Sequence, residues 1–270
     1  MLKDITFGQY YAGTSAIHKA DPRIKIVLMI LILVFIFVSK NTVSLIFSAL
    51  FIFAIIAISK VPFKNFLKNI KAILPVIIFT AVINVFYGDE GRTLVSFWKL
   101  SITTGGVYRA VFMASRIVLL IFVSSVLTYT TTPNDLTDAI ERLLSPLKFI
   151  GLKNAVHTLA MMMTIALRFI PTLIEETEKI MNAQKARGAD LENGSLSERV
   201  KALIPILIPL LISSVRRAYE LAEAMECRCY NGGEGRTRMK QMKLGSRDCA
   251  MLISTLMYCA VIIVLNFVFG

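Results

Sequence analysis

The chain has 270 residues, of which 56% are hydrophobic, and its mean hydropathy is +0.67. These values exclude a single soluble domain and indicate a polytopic membrane protein embedded in the lipid bilayer. The formal net charge of +12 would also suit a nucleic-acid partner. The basic residues lie mainly between apolar runs, however, as they do in cytoplasmic loops, so no nucleic-acid binding is expected.

Two membrane helices are predicted within the apolar stretch 24–59. The preceding residues 1–25 are polar and mixed, without the pattern of a secretory signal. Asp21-Pro22 marks a helix start, with the aspartate as cap and the proline in the first turn. A single helix over the whole stretch would be far longer than the hydrocarbon core, which is about 30 Å thick. We therefore divide the stretch at residues 39–42.

A third span is predicted from about 72 to 87 and a fourth from about 106 to 129. Segment 60–71, before the third span, carries four lysines about four residues apart. This spacing places them on one face of an amphipathic turn beside the bilayer. Segment 88–104, between the two spans, is predicted to be a loop.

Residues 130–248 are predicted to form a cytoplasmic layer of one short and two long helices. The short amphipathic helix begins at Thr132-Pro133, where the threonine is the cap and the proline lies in the first turn. The long segments, 153–187 and 198–228, each begin apolar and end charged. Their internal prolines are expected to kink or break them. These prolines are Pro171, Pro205 and Pro209.

A last span is predicted from about 249 to 269. With segments 1–25, 60–71 and 130–248 in the cytoplasm, the chain has about five spans and a cytoplasmic N-terminus, and most basic residues lie inside. The predicted fold is an all-α polytopic membrane protein. Hydropathy alone also permits seven spans, with both long segments crossing the membrane. The expected domains are a four-span membrane region 1–129, a coupling domain 130–248 and a last transmembrane helix 249–270.

Two similar triplets end the long segments, Ala186-Arg187-Gly188 and Cys227-Arg228-Cys229, with their arginines 41 residues apart. An arginine near a helix C-terminus can simply complement the macrodipole and bond the last carbonyls. Two such arginines in matched frames, each after an apolar-to-charged helix, favour a second interpretation. Each helix tip would enter a groove of a partner protein, where the guanidinium pairs bidentately with a carboxylate.

The paired triplets, the flank Ala-Met-Glu-x-Arg-x-Tyr at 224–230 and the amphipathic block before the last span resemble one family. It is the transmembrane T component of energy-coupling factor transporters (EcfT/CbiQ), and the resemblance covers nearly the whole chain. The resemblance implies a cell-membrane subunit that joins two ABC-type ATPases to a small substrate-binding membrane subunit for vitamin or metal-ion uptake. It implies no cofactor and no catalytic residue. The sequence has no P-loop motif, so ATP hydrolysis is left to the partners.

The resemblance also implies roles for the triplets. Carried over by position, Ala186, Arg187 and Gly188 would dock on one ATPase. The second ATPase would receive Cys227, Arg228 and Cys229. The flanking Glu226 and Tyr230 are candidate subunit contacts. So is Arg116 in the fourth span, because an arginine within a membrane helix is a functional hypothesis by default.

The second triplet departs from the family pattern, which has Ala and Gly where this chain has Cys227 and Cys229. Cysteine is small, so close approach to a partner is retained. A residue with a side chain does not readily take a positive φ, so we expect this helix to run on toward Asn231-Gly232. The C-x-C pair has no nearby His, and no metal site is expected.

Two other classes of function stay open from the sequence. An intramembrane lipid-modifying enzyme would need convergent Asp, His or Ser groups within the spans. Only scattered Ser and Thr, Asn84 and two arginines are available there. A substrate-binding or channel protein working alone would bind its ligand as the isolated chain, and the paired triplets would have no role.

Overall fold

A computed structural model describes residues 10–86, 93–97, 100–146, 153–189, 196–232 and 245–269. Within these residues the architecture is helical, with one two-stranded antiparallel hairpin between the third and fourth helices. The predicted all-α polytopic class is confirmed. The elements are α1 Pro22–Val38, α2 Thr42–Ser59, α3 Phe63–Phe86, β1 Thr93–Phe97, β2 Leu100–Thr103, α4 Thr104–Thr130, α5 Pro133–Leu143, α6 Lys153–Ala186, α7 Leu196–Glu226 and α8 Ser246–Phe269.

Each of the five predicted spans is present as a helix, namely α1, α2, α3, α4 and α8. Four of them are long and apolar enough to cross a membrane. Helix α1 has 17 residues, the short end of the range for a spanning helix. The segments Ala155–Ala186 of α6 and Val200–Glu226 of α7 meet the same criterion, with a lower mean hydropathy of 1.4 against 2.4 for α8.

Two local predictions were wrong, and a third was partly wrong. The lysine-rich turn is not separate from the third span, because α3 runs without interruption from Phe63 to Phe86. The predicted loop 88–104 contains the hairpin of β1 and β2. The prolines of α6 and α7 do not break these helices, each of which is continuous.

The described residues form two compact units. The membrane unit contains residues 10–86, 93–97, 100–136 and 245–269. The coupling unit contains residues 137–146, 153–189 and 196–232. Helix α5 begins in the first unit and ends in the second. Its predicted cap is confirmed, because the Thr132 hydroxyl accepts a hydrogen bond from the Asp135 amide at 3.2 Å.

Aromatic side chains form the centre of the membrane unit. Tyr258 of α8 stacks on Phe51 of α2 with ring centroids 4.4 Å apart, and its hydroxyl donates to the Ser48 hydroxyl at 3.0 Å. Phe66 of α3 is fully buried and meets Tyr129 of α4 edge to face at 5.3 Å. Lipid is as apolar as these side chains, so close packing and such hydrogen bonds hold the helices together.

Polar contacts fasten the helix ends at one face of the membrane unit. Asp21 caps α1, as predicted, by accepting from the Arg23 amide at 2.9 Å. The Asp21 amide donates to the Asp248 carboxylate at 2.8 Å, which joins α1 to the start of α8. The buried Lys25 ammonium donates to the Thr130 carbonyl at 3.0 Å, which joins α1 to the end of α4. We call this the polar face of the membrane unit.

Candidate docking site at two helix ends

The first triplet ends α6 in a Schellman motif. Gly188 has φ +86°. Its amide donates to the Lys185 carbonyl at 3.0 Å, and the Ala189 amide donates to the Gln184 carbonyl at 3.0 Å. These are the two bonds of the motif, which turns the chain sharply away from the helix axis. Arg187 is therefore the last residue before the turn and stands at the helix tip.

The second triplet ends α7 with the same two bonds. The Cys229 amide donates to the Glu226 carbonyl at 2.8 Å, and the Tyr230 amide donates to the Met225 carbonyl at 3.1 Å. Every donor and acceptor lies 41 residues after its counterpart in α6. The sequence match between the triplets is therefore also a match of backbone geometry. Arg228 occupies the same place in its turn as Arg187.

The expectation that α7 runs on toward Asn231-Gly232 was wrong. The helix ends at Glu226, and Cys229 takes φ +53° in the left-handed region. This conformation costs a residue with a side chain about 1–2 kcal/mol. The two terminal hydrogen bonds and the carbonyls they satisfy offset that cost. The motif thus determines the backbone, although a cysteine stands where glycine is preferred.

Both arginines are available to a partner. The triplet residues 186–188 and 227–229 are exposed. Among the residues that the structure describes, neither the Arg187 nor the Arg228 guanidinium makes a hydrogen bond or an ion pair. Glu226 is exposed and Tyr230 is partly buried beside the second tip. An unpaired guanidinium keeps all five of its donors for a carboxylate of another protein.

A charged contact joins the two long helices. The Glu176 carboxylate of α6 accepts from the Arg217 side chain of α7 at 2.6 and 3.1 Å, and from the Ser213 hydroxyl at 2.6 Å. Glu176 and Arg217 are also 41 residues apart. Each lies 11 residues, about 16 Å of helix, before the arginine at its tip. The contact is therefore equidistant from both tips.

The front halves of the long helices present apolar side chains to their surroundings. Met162 of α6 is 64% exposed, and Leu211 of α7 is 66% exposed. In the most apolar 18-residue window of each helix, only 6% of the window is buried within the chain. An apolar surface of this extent marks a contact with lipid or with another protein.

Arg116 contacts its own unit. Its guanidinium donates to the Ser39 carbonyl at the C-terminal end of α1 and lies 4.8 Å from the centroid of the Phe112 ring. A cation at this position complements the α1 dipole and the ring quadrupole. Asn266 of α8 also bonds this end of α1, through the Val38 carbonyl at 2.9 Å. Arg116 therefore lies at the depth of the turn between α1 and α2. A contact between Arg116 and another subunit stays a prediction.

Two contacts of the coupling unit were not found from the sequence. No sequence signal selects the Glu176–Arg217 contact, because Glu175 and Arg216 have the same offset and the same charges. The other contact joins His157 Nδ1 of α6 to the Glu141 carboxylate of α5 at 3.5 Å. His157 had no partner near it in the sequence, and no periodic signal relates the two residues.

The comparisons with known proteins agree with these observations. The family described as CbiQ, cobalt transport protein, matches residues 13–239. The chain belongs to the EcfT/CbiQ family. A relative from Ruminiclostridium cellulolyticum, named energy-coupling factor transporter transmembrane protein EcfT, is 50% identical over 269 residues, 100% of both chains. A relative of the same name from Clostridium kluyveri is 51% identical, and the match covers 94% of this chain and 95% of the relative. Another from Bacillus subtilis is 40% identical, and the match covers 98% of this chain and 100% of the relative.

The family membership predicted from the triplets is thereby confirmed. The relatives match nearly the whole length of the chain, so the membrane unit and the coupling unit both belong to the EcfT/CbiQ pattern. The chain is a multi-pass membrane protein.

Proposed function

We propose that this chain is the coupling subunit of an energy-coupling factor importer and is not itself catalytic. It joins two ABC-type ATPases to a small substrate-binding membrane subunit in the cell membrane, for uptake of a vitamin or a metal ion. The observation that carries the proposal is the pair of helix ends with the same turn, the same offset and an exposed arginine each. Two equivalent tips suit two equivalent grooves.

In this mechanism each arginine enters a groove on one ATPase. Ala186 and Gly188 in the first tip, and Cys227 and Cys229 in the second, are small enough to let the helix end approach closely. The guanidinium then pairs with a carboxylate in the groove, and the pair is stronger there than at an open surface because water is excluded. Glu226 and Tyr230 extend the second contact.

The Glu176–Arg217 contact gives the mechanism a fixed point between the tips. When ATP closes the two ATPases, the tips move together and the helices turn about this contact. Their apolar front halves then move against the substrate-binding subunit and change its orientation or access. A contact at equal distance from the two tips divides the motion equally between the helices.

Co-purification of the full chain with its native membrane neighbours tests the proposal. The wild type should bring down P-loop ATPases, whereas Arg187→Glu/Arg228→Glu should lose them, because each glutamate would face the carboxylate of its groove. The matched control is Arg216→Glu, which reverses the charge of an exposed arginine elsewhere on α7. The double variant should still insert into the membrane.

Two results would contradict the proposal. If the double variant retains the ATPases as well as Arg216→Glu does, the arginines are not the docking residues. If no ATPase accompanies even the wild type, the chain works alone, and ligand binding by the isolated protein becomes the experiment to do.

A further inference from the structure

The membrane unit contains a cleft that the proposed function does not use. Its volume is about 390 Å³, and it lies among α1, α2, α4 and α8. Its walls are almost entirely apolar and include Leu28, Ile32, Ile52, Ile55, Val126 and Met251. This volume and this lining are typical of a site that takes a small amphiphilic or apolar ligand.

Cations line the end of the cleft at the polar face. Lys25 comes from the start of α1 and Arg247 from the start of α8, and Thr130 from the end of α4 lies with them. The described residues that line the cleft include no Asp or Glu. The cleft therefore has an apolar body, and its charged lining residues are the two cations at one membrane surface.

The Lys25 ammonium is held at the mouth by two backbone carbonyls. Lys25 is only 7% exposed, and its ammonium donates to the carbonyls of His18 at 3.2 Å and Thr130 at 3.0 Å. An ammonium has three N–H donors, and its two bonds to described residues leave the third for a ligand. Asp135, Asp248 and Asp21 interact electrostatically with Lys25 but do not line the cleft. Asp21 accepts from Arg23, and Asp248 accepts from backbone amides.

The size of the cleft decides between two kinds of occupant. A helix with its side chains is about 10 Å across and rises about 5.4 Å per turn, so 390 Å³ holds about one turn of it. A transmembrane helix of a partner could therefore insert side chains into the cleft but could not enter it as a whole. A single acyl chain is narrow, is present on every side of the protein, and matches the apolar walls.

We propose that this cleft binds one acyl chain of an anionic phospholipid, whose phosphate lies between Lys25 and Arg247. The polar face is the side on which the basic segments of the chain lie and which we expect to be cytoplasmic. Basic pockets between membrane helices on that side suit anionic headgroups, and each cation near the surface contributes attraction. The lipid would fill the space between α1 and α8 and thus stabilise the bundle.

Native mass spectrometry of the full chain in neutral detergent tests this binding, with phosphatidylglycerol and phosphatidylcholine of identical acyl chains as probes. Phosphatidylglycerol should be retained at lower concentration. Arg247→Gln should weaken its binding about fivefold and leave phosphatidylcholine unchanged. The charge control is Lys68→Gln, which removes an exposed lysine that does not line the cleft.

A second pair of variants tests the place of binding. Ala54 and Ala57 are both exposed on α2, but only Ala54 lines the cleft. Ala54→Phe should fill the space and reduce lipid retention, and Ala57→Phe should not. Equal retention of the two lipids by the wild type, or equal behaviour of the two phenylalanine variants, would overturn the proposal. A third result would also overturn it: the wild type retains no lipid, and Ala54→Phe loses a membrane protein that co-purifies with the wild type.

Discussion

At the scale of single residues, the end of α7 shows a backbone that overrides a side-chain preference. Cys229 has φ +53° where its counterpart Gly188 has φ +86°. The position is left-handed in both helices because the same two carbonyls must be bonded. The chain therefore carries strain at the second tip that is absent at the first.

That strain can be relieved by one substitution. Cys229→Gly should stabilise the end of α7 by about 0.5–1 kcal/mol, which is the left-handed strain less the entropy that glycine adds to the unfolded chain. Gly188→Ala should destabilise the end of α6 by about 1 kcal/mol, although no atom lies within 4 Å of the added methyl group. Hydrogen exchange of the terminal amides measures both changes.

Cys229→Ala is the control for the thiol, because it removes the sulfur but keeps the strain. Its amides should exchange as in the wild type. If it protects the α7 end as much as Cys229→Gly does, the thiol and not the backbone is the source of the difference.

At the scale of elements, the Glu176–Arg217 contact couples the two long helices. The carboxylate is 23% exposed and the guanidinium 37%, so the pair is only partly screened by water. Glu176→Ala should lower the melting temperature of the chain, and a double-mutant cycle with Arg217→Ala should return most of that loss as coupling. Thermal unfolding of the purified chain measures the stability.

The function proposed for this contact adds a second measurement. In the assembled transporter, Glu176→Ala should leave ATPase binding intact but reduce uptake per ATP hydrolysed, because the helices would no longer move together. The control is Glu175→Ala, an exposed carboxylate one residue away that makes no hydrogen bond or ion pair among the described residues. An unchanged ratio of uptake to hydrolysis would show that the contact does not transmit motion.

Local features of these elements were predictable, and contacts between elements were not. The caps at Asp21 and Thr132 depend on side chains within three residues of a helix start, so the sequence contains all the information needed. The His157–Glu141 contact depends on packing between two different helices, α5 and α6. The triplets were found because they occur twice at a constant offset. The same offset does not select Glu176 and Arg217 in the helix bodies, because Glu175 and Arg216 share it.

At the scale of the whole molecule, the proposed docking requires that both tips lie in the cytoplasm. The alternative with seven spans would place the α6 tip outside and the α7 tip inside. It would also place Glu175, Glu176, Glu178 and Lys179 within the membrane-crossing helix α6. A charged residue near a helix centre costs about 2.5–3.5 kcal/mol on insertion scales, so we favour five spans with both tips inside.

Cysteine labelling of intact cells distinguishes the two topologies. In a chain whose native cysteines are replaced by serine, Ala189→Cys should react with a membrane-impermeant maleimide only after the cells are permeabilised, because the α6 tip is inside. Lys40→Cys, in the turn between α1 and α2, is the matched control and should react in intact cells. Labelling of Ala189→Cys from outside would place Arg187 beyond the reach of a cytoplasmic ATPase. The first tip would then have no partner, and the equivalence of the two tips would be internal symmetry without a shared function.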